Sequence, residues 1–292
     1  LGFDALHALN PALIYASISG YGRTGPAADK GGFDLIAQGV SGLMSITGEP
    51  GGAPVKVGSP VTDLNAGLLA ALGIVSAYVH RLKTGQGQLV DTSLMEAGIH
   101  QTAWQAAIFF ATGASPGPGG SAHVLAAPYQ AFPTADGWIN IGGANQANWE
   151  RIARLVGAPE LITDPRFADN SARMANRDAL VALLSAHLRE RRTAEWLRDL
   201  DAAGIPAGPI QSIGAMVEDP QTRARQMVVE IDHPVAGRTR ALGVPIKLGA
   251  TPGSIRRPAP TYGQHTREVL AEAGYAAAEI DALVAEGAVH AG

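Results

Sequence analysis

The sequence predicts an α/β fold, on three observations. Short runs rich in β-branched and aromatic residues, "ALIYASIS" (12–19) and "LVDTSL" (89–94), alternate with long segments whose apolar residues recur at helical spacing. Two stretches dense in glycine and proline, "ASPGPGGSAH" (114–123) and "AAGIPAGPIQS" (202–212), interrupt that alternation. Between them, short strands precede three helices, the pattern of a smaller α+β block. The linkers set domain boundaries at 1–113, 124–212 and 216–292.

The elements follow in order. Leu1, Phe3, Leu6 and Leu9 give the start an amphipathic helical pattern, which Asn10-Pro11 ends. The strand over 12–19 stops at Gly20, and "GYGRTGPAADKGG" (20–32) is a loop by its glycines and proline. Phe33, Ile36, Ala37, Val40, Leu43 and Met44 are spaced for one helix over 33–48, stopped by Gly48. An irregular stretch, 51–61, delivers Asp63 to a long apolar helix over 64–82. A turn (83–88), a strand (89–94) and a helix (95–113) complete the first region. In the second region, "TADG" turns a hairpin within 129–143, and helices follow at 145–156, 176–190 and 193–203. The third region has strands in 226–234 and 238–249, a proline-rich stretch, and helices near 264–274 and 276–286. There is no internal repeat.

Composition narrows the function classes. The 292 residues are 46% hydrophobic and 16% charged, as in a soluble enzyme-sized protein with a real core. Twenty-two basic and 26 acidic residues leave a net charge of −4, with no electrostatic footprint for nucleic acid or an anionic membrane. The absence of cysteine excludes disulfides, thiolate metal sites and a cysteine nucleophile, and a cytoplasmic location is the expectation. The apolar run from Ala66 to Val79 is too short to span a bilayer. The chain opens inside a helical pattern with no initiator Met and no signal-like core, which reads as a piece of something longer.

Few residues stand out as chemistry. "GYGRTG" (20–25) has the letters of a dinucleotide-binding fingerprint, but Pro26 and a polar loop follow where a helix should open. Asp63 begins the long helix, where free N–H groups and the macrodipole favour an acidic residue, so spacing alone favours a cap. The same physics allows a second role, because an ionised carboxylate beside free amides can serve a reacting carbonyl. Asp91 reads as a strand residue that faces solvent or pairs across the sheet, Glu96 as a first-turn charge and His100 as a packed or surface histidine. His123 in the glycine-rich linker is a candidate site residue. No HExxH, Walker, GxSxG or EF-hand pattern occurs, and no metal is expected.

Longer stretches carry a resemblance. "NPALIYASISGYGRTGP", "GGFDLIAQGVSGLMSITGEP", "VGSPVTDLNAGLLAALGIVSAYVHRLKTGQGQLVDTSL", "PYQAFPTADGWINIG" and "YGQHTREVL" together resemble the family III CoA-transferases, in order and over nearly the whole chain. The resemblance implies a doubly wound, Rossmann-like large domain, from 1–113 completed by 216–292, with a small α+β domain inserted at 124–212. It implies an interlocked homodimer, and a further N-terminal segment holding the first strand and several residues that grip CoA. Asp63, four residues before Gly67, matches the family's nucleophile. Phe33 and Asp34 match its aromatic–acidic pair, and Gly119 and Gly120 its mobile glycine-rich loop. A lysine found near CoA in some members maps to Gly31, beside Lys30. His123 and Tyr129, close to that loop in the sequence, are expected on that ground to line the acid pocket.

The implied substrates are an acyl-CoA and a small carboxylic acid, with coenzyme A entering as substrate, no permanently bound cofactor and no metal. Formate, oxalate, succinate, mesaconate, glutarate and carnitine-type acids all remain open. Two other outcomes are carried. Acyl-CoA racemases share the fold but need a proton-relaying histidine where this chain has Phe33, which disfavours them. A fragment without its N-terminal segment could also be catalytically inactive.

Overall fold

The computed structural model describes residues 2–292, so the apolar position predicted at Leu1 lies outside the described residues. The chain divides into two compact units, Leu1–Pro209 and Ile210–Gly292. The division falls inside the 202–212 linker, while the 114–123 linker lies within the first unit.

The first unit opens with α1 (Phe3–Leu9) and β1 (Tyr15–Ser19). The helix predicted over 33–48 is shorter. It runs as α2 (Asp34–Val40) and stops because Gly42 takes φ 84°, after which Leu43–Ile46 form a 3₁₀ turn. The long helix α3 (Val61–Thr84) starts three residues earlier than predicted. β2 (Leu89–Ser93) pairs with β1 in parallel, from Tyr15↔Leu89 to Ser19↔Ser93. A parallel pair requires a crossover, and α2 and α3 supply it. The helix predicted over 95–113 is two, α4 (Leu94–Gln101) and α5 (Ala103–Thr112). Thr102 breaks it at ψ 8°, its hydroxyl donating to the Ile99 carbonyl at 2.8 Å.

Small residues let α3 lie close to the sheet. Ala66, Ala70 and Ala77 are its buried apolar positions, and a side chain at Gly73 would begin 2.6 Å from Val90 Cγ1 on β2. Leu64, Leu68, Leu72, Val75, Val79 and Leu82 instead form an exposed stripe along its length. By length and composition alone α3 would suit a membrane span. Its inner face packs on both strands, however, and charges sit in its first and last turns (Asp63, Arg81 and Lys83).

Further along this unit, β3 (Tyr129–Pro133) and β4 (Trp138–Gly142) form the predicted hairpin. Helices α6 (Gln146–Leu155), α7 (Asn170–Ala175), α8 (Arg177–Leu188) and α9 (Thr193–Ala202) follow. The sequence reading missed α7, which Asp169 caps by accepting from the Ala172 N–H at 2.8 Å. The 202–212 linker is not wholly irregular, since β5 (Ala207–Pro209) adds a third antiparallel strand beside β4. Phe132, Ile139, Trp149, Ile152, Phe167 and Leu184 lie at the centre of the hydrophobic core here.

In the second unit, α10 (Ile213–Glu218) and α11 (Pro220–Ala224) escaped prediction because each is about one turn long. β6 (Val228–His233) and β7 (Gly237–Leu242) make an antiparallel hairpin, and the strand expected over 238–249 ends at Leu242. Helices α12 (Thr266–Glu272) and α13 (Ala277–Ala285) close the chain.

Candidate active site

The start of α3 decides what Asp63 can do. Pro60 is the N-cap residue, which makes Asp63 the third helical residue. A carboxylate there ordinarily reaches back to the N-cap N–H, closing a capping box. Proline has no N–H, so that bond cannot form. The N–H of Thr62 is taken instead by Asp34 Oδ1 at 3.0 Å, and Val61 N–H donates to the Ser59 carbonyl at 2.8 Å. The helix start therefore carries no cap bond from Asp63, contrary to what spacing alone favours. Among the described residues the Asp63 carboxylate has no hydrogen bond or ion pair, and its own N–H has no acceptor. An exposed carboxylate, unengaged and beside a free amide, is what nucleophilic chemistry at a carbonyl requires.

Asp34 carries the cap in its place. Its Oδ1 accepts both the Thr62 N–H and the Thr62 hydroxyl, the latter at 2.8 Å, and its Oδ2 accepts Gln38 Nε2 at 2.7 Å. Burial pushes the Asp34 pKa up, but the hydrogen bonds from Thr62 and Gln38, with Lys56 nearby, outweigh it and hold the carboxyl below its ordinary value. Gln38, fully buried, also accepts the Val57 N–H at 2.8 Å and approaches the Ser59 carbonyl at 3.5 Å. Lys56 Nζ folds onto the Val57 and Gly58 carbonyls at 3.1 and 3.4 Å. The sequence reading missed Gln38, Thr62 and Lys56. The available signal was a glutamine four residues after an aspartate, a spacing that pairs on a helix.

Phe33, the N-cap residue of α2, is 81% exposed and offers no proton relay beside Asp34. Gly119 and Gly120 lie in a loop tied to the segment after α2: Gly120 N–H donates to the Gly48 carbonyl at 2.8 Å. Gly120 has φ 60°, and a Cβ there would fall 2.7 Å from a carboxylate oxygen of Glu49, so glycine suits both the backbone and the space. His123 stacks on Tyr129 with ring centroids 5.0 Å apart and meets Trp104 edge-on at the same distance. Its Nδ1 accepts the Leu125 N–H at 3.1 Å.

The remaining candidates have structural roles. Gly20 to Gly25 stay in a loop with no helix before Asp34, unlike a dinucleotide fingerprint. Glu96 accepts the Ser93 hydroxyl at 2.6 Å while Ser93 caps α4. Asp91 meets the Arg23 N–H at 3.4 Å, and His100 is exposed near the end of α4. No group of three metal-ligating side chains occurs among the described residues.

Comparison with known proteins supplies the class. Residues 1–266 match the family described as CoA-transferase family III. The chain is 38% identical over 276 residues to an acyl-CoA transferase of Fusarium pseudograminearum, covering 94% of this chain and 60% of that protein. It is 36% identical over 290 residues to the succinyl-CoA:glutarate CoA-transferase of Mus musculus, covering 99% of this chain and 66% of that one. A crystal structure of a CAIB/BAIF family protein from Brucella suis superposes with a TM-score of 0.80 at 38% identity, over 93% of this chain and 71% of that one. The chain belongs to CoA-transferase family III. It spans less than two thirds of the length of these two named transferases.

Proposed function

We propose that the protein containing this chain moves CoA from an acyl-CoA thioester to a carboxylic acid, with Asp63 as the nucleophile. The supporting observation is the unengaged Asp63 carboxylate at a helix start that Asp34 caps in its stead. Family membership gives the reaction class, and the atoms then balance as follows. A carboxylate oxygen of Asp63 attacks the thioester carbonyl carbon, the carbon–sulfur bond breaks, and CoA leaves as thiolate. The product is an acyl–aspartyl anhydride. The thiolate attacks the aspartyl carbonyl, releasing the first acid and leaving an aspartyl–CoA thioester. The acceptor carboxylate attacks that carbonyl in turn, its carbon–sulfur bond breaks, and CoA leaves as thiolate from a second, acceptor–aspartyl anhydride. The thiolate then attacks the acceptor's acyl carbon, the anhydride carbon–oxygen bond breaks, and the new acyl-CoA leaves with Asp63 regenerated as carboxylate. The anhydride conserves the thioester's activation provided water is excluded. In this reading the Gly119–Gly120 loop is the lid over Asp63, Phe33 and Asp34 flank the CoA thioester, and His123 lines the acid pocket.

A dicarboxylic acid such as glutarate is the acceptor class we favour, by likeness to the mouse relative's named substrate. The same reading includes the doubly wound large domain formed from 1–113 and 216–292, the inserted domain at 124–212, a cytoplasmic location, and CoA as substrate without a bound cofactor or metal. It also includes the homodimer. The exposed stripe from Leu64 to Leu82 supports that assembly, since a single face of this size calls for a cover. Light scattering should read twice the subunit mass, and a monomer would remove the dimer from the proposal.

The test uses the full-length enzyme with succinyl-CoA and hydroxylamine, read by intact-protein mass spectrometry beside Asp63→Asn. A hydroxamate mapped to Asp63, absent in the variant, is expected. No adduct under conditions where CoA binding is demonstrated would refute the nucleophile. Exchange of the α-proton without any acid acceptor would point to an isomerase instead.

A further inference from the structure

Gln38 has no assigned role, yet its connections are unusual for a core residue. It is a polar side chain with 0% exposure, on a helix whose other buried residue is Ala37. Burying a carboxamide costs free energy unless its donors and acceptor are used, and here both ends are engaged. Nε2 donates to Asp34 Oδ2 at 2.7 Å, and Oε1 accepts the Val57 N–H at 2.8 Å. The two bonds run to different things. One orients the carboxylate that caps α3 through Thr62, and the other holds the extended segment that leads into Pro60. The side-chain hydrogen bonds that reach the first turn of α3 and the segment leading into it from α2 thus come from Asp34 and Gln38.

Without that support the turn loses its outside anchor. If Asp34 swings away, the Thr62 N–H loses its acceptor, and the first turn of α3, which carries Asp63, is no longer held by that side chain. A nucleophile displaced by about an ångström loses rate even while it stays ionised.

We propose that Gln38 is a positioning residue for the reaction: by holding both Asp34 and the 57–59 segment, it keeps the cap of α3 on Asp34 and fixes the turn from which Asp63 attacks the acyl-CoA. The inference rests on Asp63 being the nucleophile. It predicts that Gln38 sets turnover and the rate of adduct formation while contributing little to substrate binding, which a residue that merely filled the core would not do.

Two variants of the full-length enzyme test it. Gln38→Met keeps the volume and removes both bonds. Gln38→Glu keeps the acceptor for Val57 and can donate to Asp34 only while its carboxyl is protonated. For Gln38→Met, kcat and the hydroxylamine-trapped rate at Asp63 should fall together by roughly 30- to 100-fold, the scale of an ångström-sized misplacement, with KM for acyl-CoA changing less than about threefold. Gln38→Glu should regain activity toward low pH and lose it as pH rises through the pKa of the introduced carboxyl, a one-proton limb absent from the parent enzyme. The titratable groups on the elements around it are Asp34 on α2, Lys56 on the extended segment, Asp63 at the start of α3 with Tyr78, His80, Arg81 and Lys83 in its second half, and Glu96 and His100 on α4; all are present in the parent, so its profile isolates the new limb. Turnover within twofold in both variants, with the Asp63 adduct still formed, would overturn the role of Gln38 and leave the nucleophile standing. Full turnover in Asp63→Asn would overturn the nucleophile, and this proposal with it.

Discussion

Gly98 is the place where a single methyl group should separate activity from stability. It lies buried on α4, and a Cβ there would sit 2.5 Å from Ser41 Oγ, 2.7 Å from Ser41 Cβ and 3.2 Å from Thr62 Cγ2. Carbon atoms in contact want about 3.5–4.0 Å, so Gly98→Ala must drive α4 and the end of α2 apart by roughly 1 Å. Thr62, the residue capped by Asp34 and adjacent to Asp63, needs only a few tenths of an ångström, and can yield by moving the first turn of α3. Overpacking of this kind costs about 1–3 kcal/mol, against which alanine gains about 1 kcal/mol over glycine inside a helix. The net loss of stability should therefore be about 0–2 kcal/mol by urea unfolding. Turnover should fall about 10- to 100-fold, because the displaced atoms are those that aim Asp63, the proposed nucleophile. Gly98→Ala combined with Ser41→Gly restores the space and should recover most of the activity, an interaction energy that a double-mutant cycle reads directly. Parent-like turnover in a folded Gly98→Ala would refute the claim that α2–α4 spacing sets the position of Asp63.

Two further outcomes follow from charged groups. The Asp34 carboxyl is held below its ordinary value in the folded chain, so it adds stability that is complete above the unfolded aspartate pKa and is lost as pH falls through the lower folded one. Acid unfolding followed by circular dichroism from about pH 5 downward should show a shallower loss for Asp34→Asn than for the parent, and equal slopes would contradict it. Arg173 is 1% exposed and its bonds run to neutral groups: the Ala127 carbonyl at 2.7 Å, the Gln146 side chain at 2.9 Å and the Phe167 carbonyl at 3.1 Å. Arg173→Met leaves both carbonyls without that donor and should cost about 2–4 kcal/mol in urea unfolding, with Arg173→Lys a poor rescue because it lacks the fork; a loss under about 1 kcal/mol would show the bonds to be dispensable.

What was legible in the sequence sorts by the range of the interactions that decide it. The strands at 15–19 and 89–93, the long α3 and the 129–142 hairpin declare themselves through local pattern, and each is present. Breaks inside apolar helices do not. Nothing in the apolar spacing of 33–48 or 95–113 tells that Gly42 turns left-handed or that Thr102 spends its hydroxyl on Ile99. The one-turn helices α10 and α11 are too short to show any period, and only their caps, Ser212 and Asp219, could have marked them. β5 was hidden for another reason. Proline and glycine at 206–209 read as a linker, and an edge strand tolerates both.

The site shows the same division more sharply. Asp63 was visible as a residue, and local rules assign it to capping, since an acidic side chain in a first turn is ordinarily there for the amides. Two facts reverse that assignment, and only one is local. Pro60 removes the N–H to which the third helical residue would reach, which the sequence "SPVTD" already says. The other is Asp34, which lies 28 residues from Thr62 in the chain and accepts its N–H only because α2 and α3 are packed side by side. Asp34 can do this because Gln38 holds its second oxygen, and Gln38 can be buried because Val57 uses its carbonyl. A free carboxylate at the start of a helix is thus made by a neighbouring helix that takes over its structural work. Removing that support, with Asp34→Ala, leaves the Thr62 N–H without its acceptor and frees the first turn of α3 to shift: the Asp63 hydroxamate should then form more slowly even with CoA bound, and an unchanged rate would show that the cap does not position Asp63.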